Sequence, residues 1–221
     1  MPEELGKIEK PAVEEFKLGR KLYHVPLVYL GKDSPPEYKE KFERYWNDVP
    51  DHVNNLEKAG LVKKIYHESI SLAGEEGLKL IEKLNEKSYQ LVKSKCEQGA
   101  ELEALEDQDL INEIVDWRRI LLIEFLSERA RKEVGEKVFG FYQEAVKRRY
   151  ETLAKRIDET LKDGEAGMLL MRDDERIQVQ PQLPSDITVF LVHPPAFEEI
   201  NRWLRDRPTQ KSEEKGGQKW N

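Results

Sequence analysis

His67, Glu68, Asp173, Asp174 and His193 stand at or just past the ends of apolar, β-rich runs. Imidazoles and carboxylates gathered at one pole of a sheet could bind a divalent metal or move protons as general acids and bases. For a metal the candidate ligands are His67, Glu68, Asp173 and His193; Asp174 joins them as an acid–base candidate. Residue type carries this reading, and spacing does not. The chain has no HExxH-type pair and no glycine-rich phosphate loop, and strand ends are also where polar side chains ordinarily emerge into water. No cofactor other than a divalent metal is suggested. The other two histidines read as structural: His24 near the start of its strand, towards the opposite pole, and His52 exposed on a helix. Cys96 reads as helix packing.

The elements that must position these groups follow from periodicity. Leu22 to Leu30 (LYHVPLVYL) is a β-rich apolar run, and Pro26 within it suggests an edge strand or a bulge. Ser34-Pro35-Pro36-Glu37 starts a helix that carries Tyr38, Phe42, Tyr45 and Trp46 on one side, with Pro50 expected to kink or split it. Leu61 to Ile70 reads as a second strand, and a strand–helix–strand crossover of this length predicts a parallel pair. The stretch from Met168 to Met171 and that from Ile187 to Val192 read as two further strands, joined by a polar link and followed by a last helix, AFEEINRWLRD.

Between the second and third strands lies a helical excursion of roughly residues 74–162. Its apolar positions repeat with a helical period over 74–97, 109–127 and 130–162. Helices of that length outrun a small sheet, so two of them should project as an antiparallel hairpin. Arg118, Arg119, Lys147, Arg148 and Arg149 form a basic series on it that could grip RNA or phosphate, although glutamates interleave them at ion-pairing distance along the helix. Trp117, Leu121 and Phe125 offer an apolar surface for self-association or a protein partner.

Composition narrows the classes. The net charge of −7 gives the chain no global attraction to nucleic acid or anionic lipid, so an RNA-binding role would need a local basic patch. A single cysteine permits neither an internal disulfide nor a cysteine-rich zinc site, which fits a reducing cytoplasm. No apolar run approaches the roughly 20 residues of a membrane helix. The abundance of Glu, Lys and Arg beside few Asn and Ser is a thermophile-like balance. Residues 1–20 read as a flexible leader, 21–207 as one α/β domain, and 208–221 as a disordered tail.

Two resemblances add to this. The segment RRYETLAKRIDETLKDGEAGMLLMRDD, continued by LPSDITVFLV, resembles an uncharacterised prokaryotic family with features of the TraB and erythromycin-esterase-like superfamily. That resemblance implies Glu and His at strand ends as the active centre. Here Arg172-Asp173-Asp174-Glu175 follows the strand where the family has a histidine. The same segment is similar to the third domain of archaeal and eukaryotic release factors. In the tail, Gly216-Gly217-Gln218 resembles the Gly-Gly-Gln of peptide-release factors, which implies a ribosome-associated role.

The expected fold is therefore α/β: a small, mostly parallel sheet of about four strands flanked by helices, with a long helical hairpin inserted between strands two and three. The expected function is a non-catalytic binding or regulatory protein acting through its long helices. The alternatives are a metal-assisted hydrolase using the strand-end cluster, and a ribosome- or RNA-associated factor.

Overall fold

The computed structural model describes residues 19–123 and 127–206. Phe125 and the Gly216-Gly217-Gln218 tripeptide lie outside the described residues, as do most of the leader and the tail beyond Asp206. Five strands form one sheet in the order β3-β2-β4-β1-β5, and every neighbouring pair is parallel. They are β1 (Arg20–Pro26), β2 (Val62–His67), β3 (Glu101–Glu103), β4 (Ala166–Met171) and β5 (Ile187–Leu191). The central strands β1 and β4 are buried along their whole length, as parallel strands covered on both faces must be.

The α/β class, the parallel sheet and the inserted helices agree with the sequence reading, and details differ: the helix expected over 74–97 is divided at Asn85, and the polar link before the last strand carries a helix, Asp173–Val179. The sheet has a fifth strand, β3, three residues long and too short to show a period. Pro26 is neither at an edge nor at a bulge: β1 lies between β4 and β5, and Pro26 is its last residue, where a missing N–H costs no interior ladder bond. Helix α1 (Pro36–Leu56) runs through Pro50 as one element.

Two opposed runs of connections fix the layers. The links β1–α1–β2 and β2–α2–α3–β3 step towards one edge of the sheet, with α2 at Gly74–Leu84 and α3 at Glu86–Glu97. The links from β3 to β4 and from β4 to β5 step back the other way. They carry α4 (Gln108–Leu121), α5 (Glu128–Thr160) and α6 (Asp173–Val179). Right-handed crossovers then put the two groups of helices on opposite faces. The core divides accordingly. Tyr23, Val25, Ile65, Met168 and Leu170 pack with α1, α2, α3 and the terminal helix α7 (Pro195–Asp206). Leu22, Tyr66, Leu169, Met171 and Ile187 pack with Leu153 and Ile157 of α5 and Val179 of α6.

One consequence bears on function. The loops leaving β1 and β2 turn to the α1 face, while the loop leaving β4, which lies between them, turns to the α6 face. Strand β4 is thus flanked by two crevices at its carboxyl end, and such reversals are where open parallel sheets bind ligands.

Helix α5 has 33 residues, about 50 Å at 1.5 Å per residue. Of its buried positions only Val138 precedes Ala145, so its second half packs on the sheet and its first half projects with α4. Helix α4 has no buried residue; Trp117 covers Phe141 of α5, their ring centroids 5.0 Å apart. Among the described residues no helix is long and apolar enough to cross a membrane.

Candidate metal centre

The crevice between β1 and β4 collects His24, Asp173 and His193. Three different segments supply them: β1, the first residue of α6 after β4, and the turn between β5 and α7. His24, expected near the start of its strand, is third from the carboxyl end, because β1 stops at Pro26 instead of running on to Leu30. It pairs in register with Leu169 and Leu191, which brings it beside the exits of both neighbouring strands.

The two imidazoles present lone nitrogens to one oxygen. His24 is fully buried. Its Nε2 lies 2.9 Å from the carbonyl oxygen of Met171. A carbonyl only accepts, so that nitrogen carries the hydrogen and Nδ1 is left with its lone pair. Burial favours the neutral ring and holds its pKa down to about 4, against the opposing pull of the Met171 carbonyl. Nδ1 has no hydrogen-bond partner among the described residues and sits 4.0 Å from Oδ1 of Asp173. Nε2 of His193 is likewise buried and unpartnered, and it too lies 4.0 Å from that oxygen. Burial lowers the pKa of His193, while Asp173 and then Glu198 pull it upward.

All three donor atoms lie within 4.8 Å of one another. The point equidistant from them is no more than about 2.5 Å from each, against zinc–nitrogen and zinc–oxygen distances of about 2.0–2.2 Å. Movements of a few tenths of an ångström would let one ion touch all three. The surroundings are those of a held ligand set. Met171 fixes the His24 tautomer, as second partners of metal-binding histidines do. Arg176 Nε donates to Asp173 Oδ1 at 2.9 Å and orients the carboxylate. The ring of His193 lies on Phe197, centroids 4.6 Å apart.

A cleft of about 740 Å³ opens beside this group. The β1–α1 loop, α6 and α7 line it, and Asp173, Pro26 and Phe197 belong to its wall. Asp173 is the member of the set that reaches the cleft, so a path from the centre to water or substrate would run past its carboxylate.

The crevice on the other side of β4 is also polar but closed. Glu68 accepts from the backbone N–H of Arg172 at 2.8 Å and from its Nε at 3.1 Å. Arg172 also donates to Glu175, which accepts from Arg149 at 2.7 Å, and Arg149 grips the buried Glu106 through Nε and Nη2. Burial raises the pKa of Glu68, with Arg172 opposing it. The turn after β2 is bound in as well: Ser69 adopts φ 70, and its N–H donates to Glu106. His67 is buried, its Nδ1 2.6 Å from the Glu68 carbonyl and its Nε2 3.2 Å from Ser88 Oγ. Its pKa is pushed down to about 4 by that burial.

The candidates expected at one pole therefore fall into two groups. Asp173 and His193 meet, with His24 as the third member. His67 and Glu68 are outside the set whose donor atoms converge within 4.8 Å. Asp174 borders the cleft, 3.9 Å from Arg172. Sequence reasoning missed His24 because it ran the strand past Pro26; ending the strand at the proline is the signal that would have found it. It also missed Arg176, one helical turn beyond Asp173. In the basic series, Arg119 pairs with Asp116, Lys147 with Glu151 and Arg148 with Glu113; Arg118 is exposed, and Arg149 is in the buried network. Cys96 is half-buried against the α1-side core.

Comparison with known proteins gives no match to a family model, a curated protein or a solved structure.

Proposed function

We propose that the protein is a metal-assisted hydrolase whose centre is His24, Asp173 and His193, holding a divalent ion of the zinc type. One observation carries the reading: two buried imidazole nitrogens without partners face the same carboxylate oxygen at 4.0 Å. At His24 the lone pair of Nδ1 is turned towards an anion with no hydrogen between them, which is unfavourable in a buried setting. A cation at the common point gives both nitrogens a partner and meets the Asp173 carboxylate.

The bound ion would lower the pKa of a coordinated water and polarise a carbonyl. The chain's own groups supply the rest. Glu198 borders the cleft and is close enough to His193 to raise its proton affinity. It makes no ion pair among the described residues and is positioned to act as general base. In the hydrolysis of an ester or amide, the water oxygen bonds to the acyl carbon as its proton passes to Glu198. The acyl bond then breaks, and that proton goes to the departing alcohol or amine. Phe197 lends the His193 ring an apolar backing.

Metal analysis of the purified full chain, with calorimetric titration of zinc into metal-stripped protein, tests this. One zinc per chain, lost in His193→Ala, is the expected result. No binding at micromolar zinc, or binding unchanged in His193→Ala, overturns it. Stoichiometric iron(II) in place of zinc would keep the site but replace hydrolysis with oxygen chemistry, since two histidines and a carboxylate also suit that ion.

The projecting arm, formed by α4 and the first half of α5, supports a second reading, that of a binding protein. Leu122, Ile123, Phe139 and Phe141 are all at least half-exposed, the first two in the turn after α4 and the others on α5. A second copy is the occupant this pattern suits, because two such hairpins brought together make a four-helix bundle that covers apolar side chains of both. Sedimentation showing a monomer up to about 100 µM, well above the micromolar range of weak dimers, ends that reading.

A further inference from the structure

The cleft has a charged end remote from the candidate metal centre. Helix α7 leaves the centre at Phe197 and reaches Arg205 eight residues later, about 12 Å along the axis. Between these points the cleft wall is apolar: Leu27 from the loop after β1, Ile177 from α6, and Ile200 and Leu204 from α7. Ile177 and Leu204 leave about half their surface to solvent, 51% and 52%, although both border a concave site.

The charges along this groove are sorted. Asp174 and Glu198 border it near the centre, with Arg172 3.9 Å from Asp174. Two arginines border it. Arg172 is taken up by Glu68 and Glu175, whereas Arg205 has no ion pair or hydrogen bond among the described residues. A guanidinium without a carboxylate partner among the described residues, at the end of an apolar groove, is a receptor for a carboxylate or similar anion.

We infer that the substrate is an elongated acyl compound bound in one direction. Its hydrolysable carbonyl lies at His24, Asp173 and His193, its apolar body lies against Ile177 and Leu204, and its terminal anion pairs with Arg205. The inference rests on the hydrolase reading above and adds the substrate class to it. Arg205 sets the orientation, because it is the cleft-lining cation that has no carboxylate partner among the described residues.

Two hydroxamates serve as probes, since that group chelates zinc and mimics the hydrated carbonyl. Both carry a straight chain of roughly eight carbons, matched to a span of about 12 Å; one ends in a carboxylate, the other in a neutral primary amide. Their affinities for the zinc-loaded full chain are measured by calorimetry. The carboxylate probe should bind about twofold to fivefold more tightly, the range of an exposed ion pair. Arg205→Met should abolish that difference, and Ile177→Asp should weaken both probes. Arg205 is exposed near a helix end, so its replacement leaves the fold intact. Equal affinities in the presence of bound zinc, or a preference that survives Arg205→Met, overturn the substrate assignment alone. Failure to load zinc, read from metal analysis without any probe, overturns the hydrolase reading and the assignment with it.

Discussion

Strand β4 has a polar cluster on each side of its carboxyl end, and the two differ in how completely their groups are satisfied. On the β2 side, Glu68, Glu106 and Glu175 face Arg149 and Arg172, and both guanidiniums are engaged by more than one carboxylate. On the β1 side, His24 and His193 stand 4.0 Å from Asp173, and two ring nitrogens have no partner among the described residues. Both crevices follow from the same reversal of chain direction, and both collect residues that a sequence reader would mark as chemical. A ligand site is distinguished by polar atoms left over after the protein has satisfied itself. By that criterion the β2 side is a structural clamp that ties α5 and α6 to the sheet, and the β1 side is the candidate centre.

The largest effect should come from breaking the clamp. Arg149→Met leaves Glu106 buried, with its side chain about 1% exposed and its guanidinium partner gone. Stranding one charge of a buried pair costs about 3–5 kcal/mol. Urea unfolding should show a loss of that size. A loss below about 1 kcal/mol, typical of exposed pairs, would mean that the cluster is solvated and the contrast between the sides is lost.

On the other side the gain should come from adding a ligand. If only the folded state binds zinc, an excess of 100 times the dissociation constant stabilises it by about 2.7 kcal/mol. For a domain of this size that is a rise in melting temperature of about 5–10 °C. His193→Ala should erase the rise. An equal rise in the variant would assign the zinc to another site, and the β1 side would then be no more a binding site than the β2 side.

The sequence made the frame legible because buried parallel strands and long amphipathic helices have strong periods. The runs at β2, β4 and β5 and the helices α1, α4, α5 and α7 all stand out from polarity alone. The strand β3 has no period to read in three residues, and its place beside β2 depends on α2 and α3 covering it. The site was half legible. Asp173 and His193 stand just past strand ends, so a strand count finds them. His24 depended on where β1 ends, a boundary set by pairing with β4 and β5 and blurred by the apolar residues Leu27, Val28 and Leu30 beyond it. The partition of Glu68 from Asp173 could not be read at all. It is set by strand order, which brings β4 between β1 and β2, and by Arg149, which arrives from 43 residues beyond Glu106.

Smaller changes grade the two sides further. Glu68→Gln keeps an acceptor for the Arg172 N–H but removes the charge, and should cost about 1.5 kcal/mol, the lower end for a hydrogen bond to a charged group. It should leave the zinc stoichiometry at one. Arg176→Met should do the reverse. It releases the carboxylate of Asp173 and should weaken zinc about tenfold, the smaller of the penalties usual for outer partners of metal ligands. An effect of Arg176→Met confined to unfolding would make Arg176 part of the clamp and not of the site.

The smallest effect sets the scale for the rest. Arg129 pairs with Glu133 on the arm, but the two side chains are 86% and 62% exposed. Water screens both charges, and the pair must hold two long side chains still to gain anything. Arg129→Gln should therefore change unfolding free energy by less than about 0.5 kcal/mol. The same bond type, a guanidinium on a glutamate at 2.8 Å, here lacks the burial that makes Arg149 matter. If Arg129→Gln cost as much as Glu68→Gln, burial would not be what separates a clamp from a solvated ion pair. The unpartnered nitrogens of His24 and His193 would then lose their meaning too, because it is burial that makes an empty lone pair costly.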